Sequence, residues 1–492
     1  MTRLTSLDQI PSEMRPGYDP AEHGIGIVHL GLGAFHKAHQ AALTDLALAA
    51  GGGDWRILGV SLRSPAATAA LHPQNGLFTL IEKGAEGTRA RVVGAIADAI
   101  CSVGNPGPAL LAMSDPATRI VSLTVTEKAY GLDRAARGCD PAHPAVAADL
   151  DHPHRPQGVL GLLTEALRRR RDAGIPPFTV LCCDNLPENG ALLRGAVTDF
   201  ARHLDPALAE WIAGEVAFPS TMVDRITPAA TDDTLAEAAR LTGCEDQAAV
   251  ETEAFCQWVI EDHFPQGRPG WEAAGVIFAE DVAPYELMKL RMLNGTHSML
   301  AYAGFHAQLR YVRDVMENPA LALLIGHHLR AAAATLPPIP GIDTETYADT
   351  LLQRFRNPSI AHETFQIAMD GSEKIPQRIF AAVADARKAS VDIRPFALAT
   401  AAWSRHVSGA THDCAPYALR DPRAEGLRNT ATGRDASSVV AAIAGLGIMP
   451  DTVAGDGDFW AMVESILSDM LITPMTEIIE REAQRPSPFS RR

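Results

Sequence analysis

The sequence predicts an α/β protein whose N-terminal half is a doubly wound parallel sheet and whose C-terminal half is mostly α-helical. An apolar run at 25–30 leads into the turn Gly31-Leu-Gly33 and an alanine-rich helical pattern that reaches Ala50. A second apolar run follows at 56–62, and this order of strand, glycine turn, helix and strand is typical of a doubly wound sheet. From about residue 284, long helical patterns replace the strand-like runs.

Further elements follow from the hydrophobic periodicity. Apolar runs predict strands at 77–82, 120–125 and 178–183, and a periodic run predicts a helix at 158–171. In the C-terminal half, helices are predicted at 284–303, 318–335, 345–356, 375–390, 394–408 and 457–482. We therefore expect an α/β domain over residues 1–285 and a helical domain over residues 286–492.

Composition excludes several classes of partner. The 492 residues are 47% hydrophobic and 21% charged, with a net charge of −16, which argues against nucleic acid or an anionic membrane as the main partner. The seven cysteines form no CxxC pair, and the first residues lack the apolar region of a signal peptide. We predict a cytoplasmic protein, a monomer or small homo-oligomer, that binds a small molecule.

The glycine turn is the first candidate binding site. A turn of this kind after a strand lets a dinucleotide pyrophosphate approach the backbone amides at a helix N-terminus. We assign Gly31, Gly33, Ala34 and Phe35 to a dinucleotide cofactor, although His36 stands where the usual third glycine would be. A plain tight turn is the alternative.

The second strand is not followed by the acidic residue that usually binds the cofactor ribose. Leu62 is followed by Arg63-Ser64-Pro65, so NAD is predicted with NADP not excluded, and Arg63 is a candidate phosphate contact. Asn185, at the end of the strand at 178–183, is a second candidate, since ligands of open α/β sheets bind at such strand ends. Asn185 could instead cap a helix, and its neighbour Asp184 could be a structural partner.

Histidines near the glycine turn offer a metal-binding alternative. His36 and His39 are three residues apart, and His29 lies on the first strand. No third ligand has a suggestive spacing, so we favour packing and hydrogen bonding for these histidines and predict no metal site.

Lys289 is the candidate catalytic residue. Alcohol oxidation by hydride transfer needs a base for the hydroxyl proton, and a lysine among leucines at 287, 290, 293 and 300 would have a lowered pKa that suits this task. Asn294 could hold the developing oxyanion together with Asn185, and Glu286 could relay the proton. The alternative for Glu286 and Lys289 is an exposed ion pair.

Cationic candidates for an anionic substrate lie in the same half of the chain. They are Arg291, Lys374 and Arg378. At about 100° per residue, Arg291 lies roughly 160° round an α-helix from Lys289, so it would face away from it.

Several segments together resemble the mannitol dehydrogenase family of polyol-specific long-chain dehydrogenases. The matching segments are 28–40, 122–128, 183–190, 222–228, 255–262 and Lys289-Leu-Arg-Met-Leu-Asn294-Gly-Thr-His297-Ser. The resemblance covers roughly residues 24 to 480. It implies a Rossmann-type N-terminal domain, a helical C-terminal domain and a reaction that needs no metal.

The resemblance also implies roles for particular residues. Lys289 resembles the general acid/base of the family, Asn185 and Asn294 its oxyanion donors, and His297 a contact to a substrate hydroxyl. Glu286 resembles the proton relay. Asp224 and Lys374 resemble substrate-pocket residues, and Glu127 is assigned to the cofactor site.

Within the family, three details resemble the uronate-reducing branch. They are Glu127-Lys128, Lys289-Leu-Arg291 and the segment from Lys374 to Arg378. This branch interconverts D-mannonate and D-fructuronate, whose carboxylate an arginine can bind through two hydrogen bonds. The alternatives are a mannitol 2-dehydrogenase acting on D-mannitol and D-fructose, a metal-dependent alcohol dehydrogenase, and a dinucleotide sensor without catalysis.

Overall fold

The computed structural model describes residues 1–84, 86–359, 361–431 and 435–489. The chain divides into two compact units, Met1–Ala283 and Pro284–Arg492. The division falls within two residues of the predicted boundary between 285 and 286. We call these the N-terminal unit and the C-terminal unit.

The N-terminal unit contains all the strands of the described residues. They are β1 (Ile25–Leu30), β2 (Arg56–Ser61), β3 (Phe78–Gly84), β4 (Gly87–Val93), β5 (Ile96–Cys101), β6 (Ile120–Leu123), β7 (Leu132–Asp133), β8 (Gly138–Cys139), β9 (Thr179–Cys182), β10 (Thr221–Asp224), β11 (Val250–Glu253), β12 (Gln257–Glu261) and β13 (Ile277–Ala279). The main sheet has the order β5-β2-β1-β6-β9, and each neighbouring pair is parallel. The carboxyl ends of these strands therefore meet at one edge.

Helices cover both faces of the main sheet. In the N-terminal unit they are α1 (Ala34–His36), α2 (Ala42–Gly51), α3 (Ala66–Leu71), α4 (Gly107–Ser114), α5 (Pro144–Asp151), α6 (Val159–Asp172), α7 (Asn189–Leu204), α8 (Pro206–Glu215) and α9 (Asp232–Thr242). Alternate residues of β1 point to opposite faces, so Val28 and Leu30 join a core with α6, while Ile27 joins another with α2. Burial on both faces explains the continuous apolar runs of these strands.

Smaller sheets complete the N-terminal unit. β11 pairs parallel with β3, and β3 pairs antiparallel with β4. β10 pairs antiparallel with β12, which pairs parallel with β13, and β7 pairs with β8. The predicted strand at 77–82 is therefore present as β3, but it lies outside the main sheet.

The C-terminal unit is helical in the described residues. Its α-helices are α10 (Ala283–Met288), α11 (Thr296–His306), α12 (Val312–Glu317), α13 (Pro319–Ala333), α14 (Thr344–Phe355), α15 (Thr364–Ile367), α16 (Gly371–Ile375), α17 (Ala381–Lys388), α18 (Arg394–His406), α19 (Ala424–Ala431), α20 (Ala436–Ala444), α21 (Asp451–Ala454), α22 (Gly457–Ile472) and α23 (Met475–Ala483). Helices α11, α13, α18 and α22 pack around the centre of the unit.

Three predicted helices of this unit are interrupted or divided. The helix predicted at 284–303 contains a π-helical segment, Lys289–Gly295, between α10 and α11. The helix predicted at 375–390 likewise contains the π-helical segment Pro376–Phe380. The pattern at 457–482 is divided into α22 and α23, because Pro474 cannot continue a helix that precedes it.

Candidate active site

The glycine turn after β1 leaves room for a ligand at the start of a helix. Gly31 has a φ of +98°, and a Cβ there would lie 2.2 Å from the carbonyl oxygen of Thr124, so the position requires glycine. Gly33 caps α1 with an extended backbone, and a Cβ on it would meet nothing closer than 3.7 Å. Neither strain nor protein packing therefore demands glycine at 33. The space above it suits a pyrophosphate against the amides of Ala34 and Phe35.

His36 packs beneath this turn. Its ring stacks on that of His29 with centroids 3.4 Å apart, and burial holds the pKa of His36 well below its ordinary value. His29 is bonded to the hydroxyls of Ser122 at 2.8 Å and Thr124 at 2.9 Å. Both imidazoles therefore belong to a neutral, buried layer under the turn.

The described residues place no metal-ligand cluster at His36 or His39. The group that the described residues do contain lies elsewhere, on β8 and α7. In it, ligand atoms of Cys139, Asp199 and His203 are close enough to one another to share an ion. The ring of His36 stacks on that of His29 and the ring of His39 on that of Phe35, with centroids 3.4 and 5.0 Å apart, which agrees with the packing interpretation.

A cavity of about 320 Å³ opens at the carboxyl edge of the main sheet. It is bordered by the glycine turn, by the residues after β2 and by the loop after β6, with Gly31, Leu62, Arg63 and Val125 among its lining. This is the position at which open α/β sheets bind nucleotides. Gly31 and Arg63, both predicted from the sequence as cofactor contacts, are thus brought to one cavity.

Asp184 fixes the loop after β6. Its carboxylate accepts hydrogen bonds from the amides of Val125 at 2.8 Å and Thr126 at 3.2 Å, and from the hydroxyl of Tyr130 at 2.7 Å. Burial raises the pKa of Asp184, while these three donors oppose that rise. Thr126 is held at a φ of +76°, which non-glycine residues rarely adopt. Asp184 is therefore a structural residue that shapes the cavity wall.

The other predicted residues of the N-terminal unit lie near this loop or on the smaller sheet. Glu127 is exposed and forms an ion pair with Arg134. Asn185 is exposed directly after Asp184. Asp224 is 5% exposed at the end of β10 and pairs in register with Gln257.

Asn189 is a positioning residue that the sequence reasoning missed. It is fully buried, and its amide group donates to the carbonyl oxygens of Asp184 at 3.2 Å and Thr221 at 2.9 Å. Its side-chain oxygen accepts from the amide of Thr221 at 2.9 Å. The loop that carries Asn185 is thereby tied to the strand that carries Asp224. Its place inside the segment 183–190 was the available signal.

In the C-terminal unit, Lys289 is the first residue of the π-helical segment Lys289–Gly295. It is half-buried, as are Glu286 in α10 and Asn294 near the end of the segment. A wider π-helical turn changes the angular relation between these side chains from that of an α-helix, and such turns are frequent at functional sites.

His297 lies in a cluster of aromatic rings and cations. Its ring centroid is 4.8 Å from that of Phe355 and 5.6 Å from that of His362. Burial holds the pKa of His297 well below its ordinary value, and the charges of Arg354 and Arg378 act in the same direction. His297 is therefore an uncharged imidazole at neutral pH.

Two predicted substrate contacts belong to the same cluster. Arg378 donates to the carbonyl oxygen of Asn294 at 3.3 Å and to the hydroxyl of Ser298 at 3.1 Å, and burial lowers its pKa to about 10. Burial and the charge of Arg378 lower the pKa of Lys374, although Asp370 opposes them. We call Arg354, Lys374 and Arg378 the cation cluster. Arg354 and His362 were not predicted, although an arginine on the apolar face of the pattern at 345–356 was a visible signal.

Arg291 does not join the cation cluster. It is 3% exposed, and its Nη1 atom donates to the carbonyl oxygen and the hydroxyl of Thr335, both at 2.9 Å. Its Nη2 atom forms an ion pair with Asp385 at 2.5 Å. These contacts engage both Nη atoms of the guanidinium, so the expectation that Arg291 binds a substrate carboxylate does not fit its environment. Arg291 instead fastens the π-helical segment to its neighbours.

Two family descriptions match consecutive parts of the chain. Residues 25–273 match the mannitol dehydrogenase Rossmann domain, and residues 281–470 match the mannitol dehydrogenase C-terminal domain. The chain belongs to the mannitol dehydrogenase family. It is accordingly an oxidoreductase that acts on CH–OH groups.

Individual relatives within the mannitol dehydrogenase family are similar over nearly the whole chain. The D-mannonate oxidoreductase of Escherichia coli is 42% identical over 465 residues, which are 92% of this chain and 95% of that protein. The oxidoreductase YeiQ of Escherichia coli is 43% identical over 433 residues, which are 88% and 89% of the two chains. The Pseudomonas fluorescens mannitol 2-dehydrogenase, solved with NAD and D-mannitol, is 36% identical with a TM-score of 0.84, covering 99% of this chain and 100% of that one.

These matches confirm several predictions made from the sequence. The family, the Rossmann-type domain followed by a helical domain, the enzyme class and NAD as the cofactor are borne out. In the part of the chain that the structure describes, no helix has both the length and the apolarity needed to cross a membrane.

Proposed function

We propose that this enzyme interconverts D-mannonate and D-fructuronate by hydride transfer at C2, with NAD as the hydride carrier. The observation that carries the proposal is the cation cluster beside the uncharged His297 in the C-terminal unit. Arg354 is 8% exposed, and burial lowers the pKa of both Lys374 and Arg378. Cations held in such a setting gain more from an anionic ligand than from a neutral polyol, because solvent screens them little.

The fit to NAD rests on the N-terminal unit. Gly31 and Gly33 keep the turn after β1 free of side chains, and the cavity at the sheet edge lies next to that turn. When bound, NAD accepts the hydride from C2 of the alcohol, and NADH returns it to the ketone in the reverse direction. The remaining steps fall to side chains of the protein.

Proton transfer is assigned to Lys289. In alcohol oxidation its Nζ atom takes the proton of the C2 hydroxyl, and in ketone reduction it returns that proton to the oxygen. Asn185 and Asn294 donate amide N–H groups to the oxygen as negative charge develops on it. Glu286, one helical turn before Lys289, passes the proton onward.

Substrate binding is assigned to the residues around His297. The neutral imidazole contacts a substrate hydroxyl, Asp224 accepts from another hydroxyl, and Lys374 and Arg378 hold the carboxylate. Arg291 is left out of this set, because Thr335 and Asp385 already engage its guanidinium.

A mannitol 2-dehydrogenase activity is the second candidate. Lys374 donates to the carbonyl oxygen of Met369 at 2.6 Å and lies 3.7 Å from a carboxylate oxygen of Asp370. These contacts would weaken the attraction between Lys374 and a substrate carboxylate, which favours a neutral polyol. The similarity to the Pseudomonas mannitol 2-dehydrogenase supports the same candidate.

Steady-state reduction of D-fructuronate and of D-fructose by NADH distinguishes the two candidate activities, the mannonate–fructuronate and the mannitol–fructose conversions. We expect a catalytic efficiency at least about a hundredfold higher on fructuronate, corresponding to two charge-assisted hydrogen bonds. Lys374→Gln should raise the KM for fructuronate about tenfold and leave fructose reduction nearly unchanged. Arg481→Gln is the matched control, since Arg481 is exposed and pairs with Asp469 at 3.1 Å on another part of the unit. Higher efficiency on fructose would exclude the uronate.

Lys289→Ala belongs in the same experiment. It should lose most of the turnover while NADH still binds, because the nucleotide cavity lies in the N-terminal unit. Turnover near that of the wild type would remove Lys289 from the mechanism.

Two outcomes with the wild-type protein would favour other functions. Binding of NADH without turnover on any ketose or keto-acid would favour a sensor, and loss of activity with a chelator would favour metal-dependent chemistry.

A further inference from the structure

The end of β2 borders the nucleotide cavity without a carboxylate. After Ser61, the chain continues through Leu62 and Arg63, and the described residues that line the cavity include no aspartate or glutamate. NAD-specific sites usually place an acidic residue at this point, where it accepts hydrogen bonds from the ribose and repels a 2′-phosphate. The feature that excludes NADP from such sites is missing here.

Arg63 adds a positive charge at the same place. Its side chain is exposed, and its Nη2 atom donates to the hydroxyl of Thr126 at 3.1 Å across the cavity mouth. Among the described residues, no carboxylate pairs with Arg63. The nearest acidic neighbour of Thr126 in sequence, Glu127, pairs with Arg134 instead. Arg63 therefore keeps donor groups for an anion.

The backbone around Arg63 is fixed by its neighbours. The hydroxyl of Ser61 donates to the carbonyl oxygen of Ser64 at 2.6 Å, which closes the turn that carries Arg63. The amides of Val125 and Thr126 are bound by Asp184, so the opposite wall is fixed as well. The hydroxyl that receives Arg63 is thus held at a defined position.

We propose that this end of the cavity accepts a ribose 2′-phosphate, so that the enzyme uses NADP(H) as well as NAD(H), and that Arg63 determines the ratio between them. The inference rests on the proposed function only in requiring that a nicotinamide dinucleotide occupies the cavity. A 2′-phosphate carries between one and two negative charges at neutral pH, and a planar guanidinium matches its oxygens.

Calorimetry can isolate the contribution of the 2′-phosphate. It compares the binding of adenosine 2′,5′-bisphosphate with that of 5′-AMP to the same protein. In the wild type, the bisphosphate should bind at least as tightly as 5′-AMP, and its advantage should fall as salt concentration rises. Arg63→Gln should weaken bisphosphate binding about tenfold and leave 5′-AMP binding unchanged. Arg240→Gln, which alters an exposed arginine of α9, should leave both unchanged.

Cofactor binding and turnover complete the test. NADH and NADPH should have dissociation constants within about tenfold of each other, and Arg63→Gln should shift their ratio about tenfold toward NADH. The inference is wrong if NADPH binds more than about a hundredfold more weakly than NADH in the wild type, or if Arg63→Gln weakens both equally. NADH binding with turnover would then leave the proposed function intact, whereas failure of both cofactors to bind would contradict the proposed function itself.

Discussion

Arg291 shows at the scale of single residues how a charged side chain near a candidate catalytic lysine can serve structure. It lies two positions after Lys289, but its guanidinium is buried against Thr335 and Asp385. A buried arginine with three hydrogen bonds to protein atoms stabilises the segment that carries it. The positive charge therefore fixes the backbone of the π-helical segment and does not add to the cation cluster.

Arg291→Met tests this assignment. We expect the free energy of unfolding to fall by about 2 kcal/mol, less than for a fully buried pair, because Asp385 is partly exposed and also pairs with Lys388. Urea denaturation measures the change. The ratio of catalytic efficiencies on fructuronate and fructose should stay constant, because the substituted side chain is remote from the carboxylate in the proposal. A selective loss on fructuronate with unchanged stability would instead place Arg291 among the substrate contacts.

The two π-helical segments determine the geometry of the C-terminal unit at the scale of elements. Lys289–Gly295 carries Lys289 and Asn294, and Pro376–Phe380 carries Arg378. They approach each other at Gly295, where a Cβ would lie 3.0 Å from the carbonyl oxygen of Arg378. The hydrogen bond from Arg378 to the carbonyl oxygen of Asn294 joins them again.

Gly295→Ala should disturb this approach. The added methyl group meets a backbone oxygen that cannot rotate away, so we expect a loss of about 1–2 kcal/mol in unfolding free energy. The KM for D-fructuronate, the substrate in the proposed function, should also rise, since Arg378 and Asn294 move together. Gly426→Ala is the matched control: its Cβ would meet nothing within 4 Å in α19, and it should stabilise by up to about 1 kcal/mol. Equal effects of the two variants would contradict the close approach.

Local sequence patterns predicted the main sheet better than they predicted the geometry of the helical unit. The runs that became β1, β2, β6 and β9 were visible because strands buried on both faces are continuously apolar. The strand at 77–82 was predicted, but its place beside β11 was not, because pairing depends on distant residues. The short strands β10–β13 have three to five residues each and too little periodicity to detect.

The candidate site was predictable in its residue types and less so in its arrangement. Lys289 and Asn294 were found because polar side chains interrupt a leucine pattern. The angles between them assumed 100° per residue, which holds only for an α-helix, and the π-helical segment leaves no clear mark in the sequence. Arg354 and His362 join His297 from other elements, and such tertiary neighbours are not encoded locally.

Buried neutral histidines couple the stability of the whole molecule to pH. Burial lowers the pKa of His29, His328 and His406 to about 3. The pKa values of His36, His297 and His306 also lie well below the ordinary value for the same reason. These side chains are distributed over both units. In the unfolded chain each would bind a proton below about pH 6.5.

Stability should therefore fall as the pH is lowered. The unfolded state binds more protons than the folded state below about pH 6.5, so each such histidine costs about 1.4 kcal/mol per pH unit once its unfolded form is protonated. Urea denaturation at a series of pH values should show the decline, with a shallower slope in His328→Gln. His72→Gln, which changes an exposed histidine, should leave the slope unchanged. Equal slopes in all three proteins would exclude the buried imidazoles as the cause.

The π-helical segment Lys289–Gly295 also bears on how this chain tolerates insertions and deletions. A π-helical turn holds one residue more than an α-helical turn, so deleting one residue within the segment could restore regular α-helical hydrogen bonding. The deletion would leave a helix that can still form, but it would rotate Lys289 relative to His297 by about 100°. The extra residue is therefore dispensable for a helix and necessary for the alignment of the two side chains.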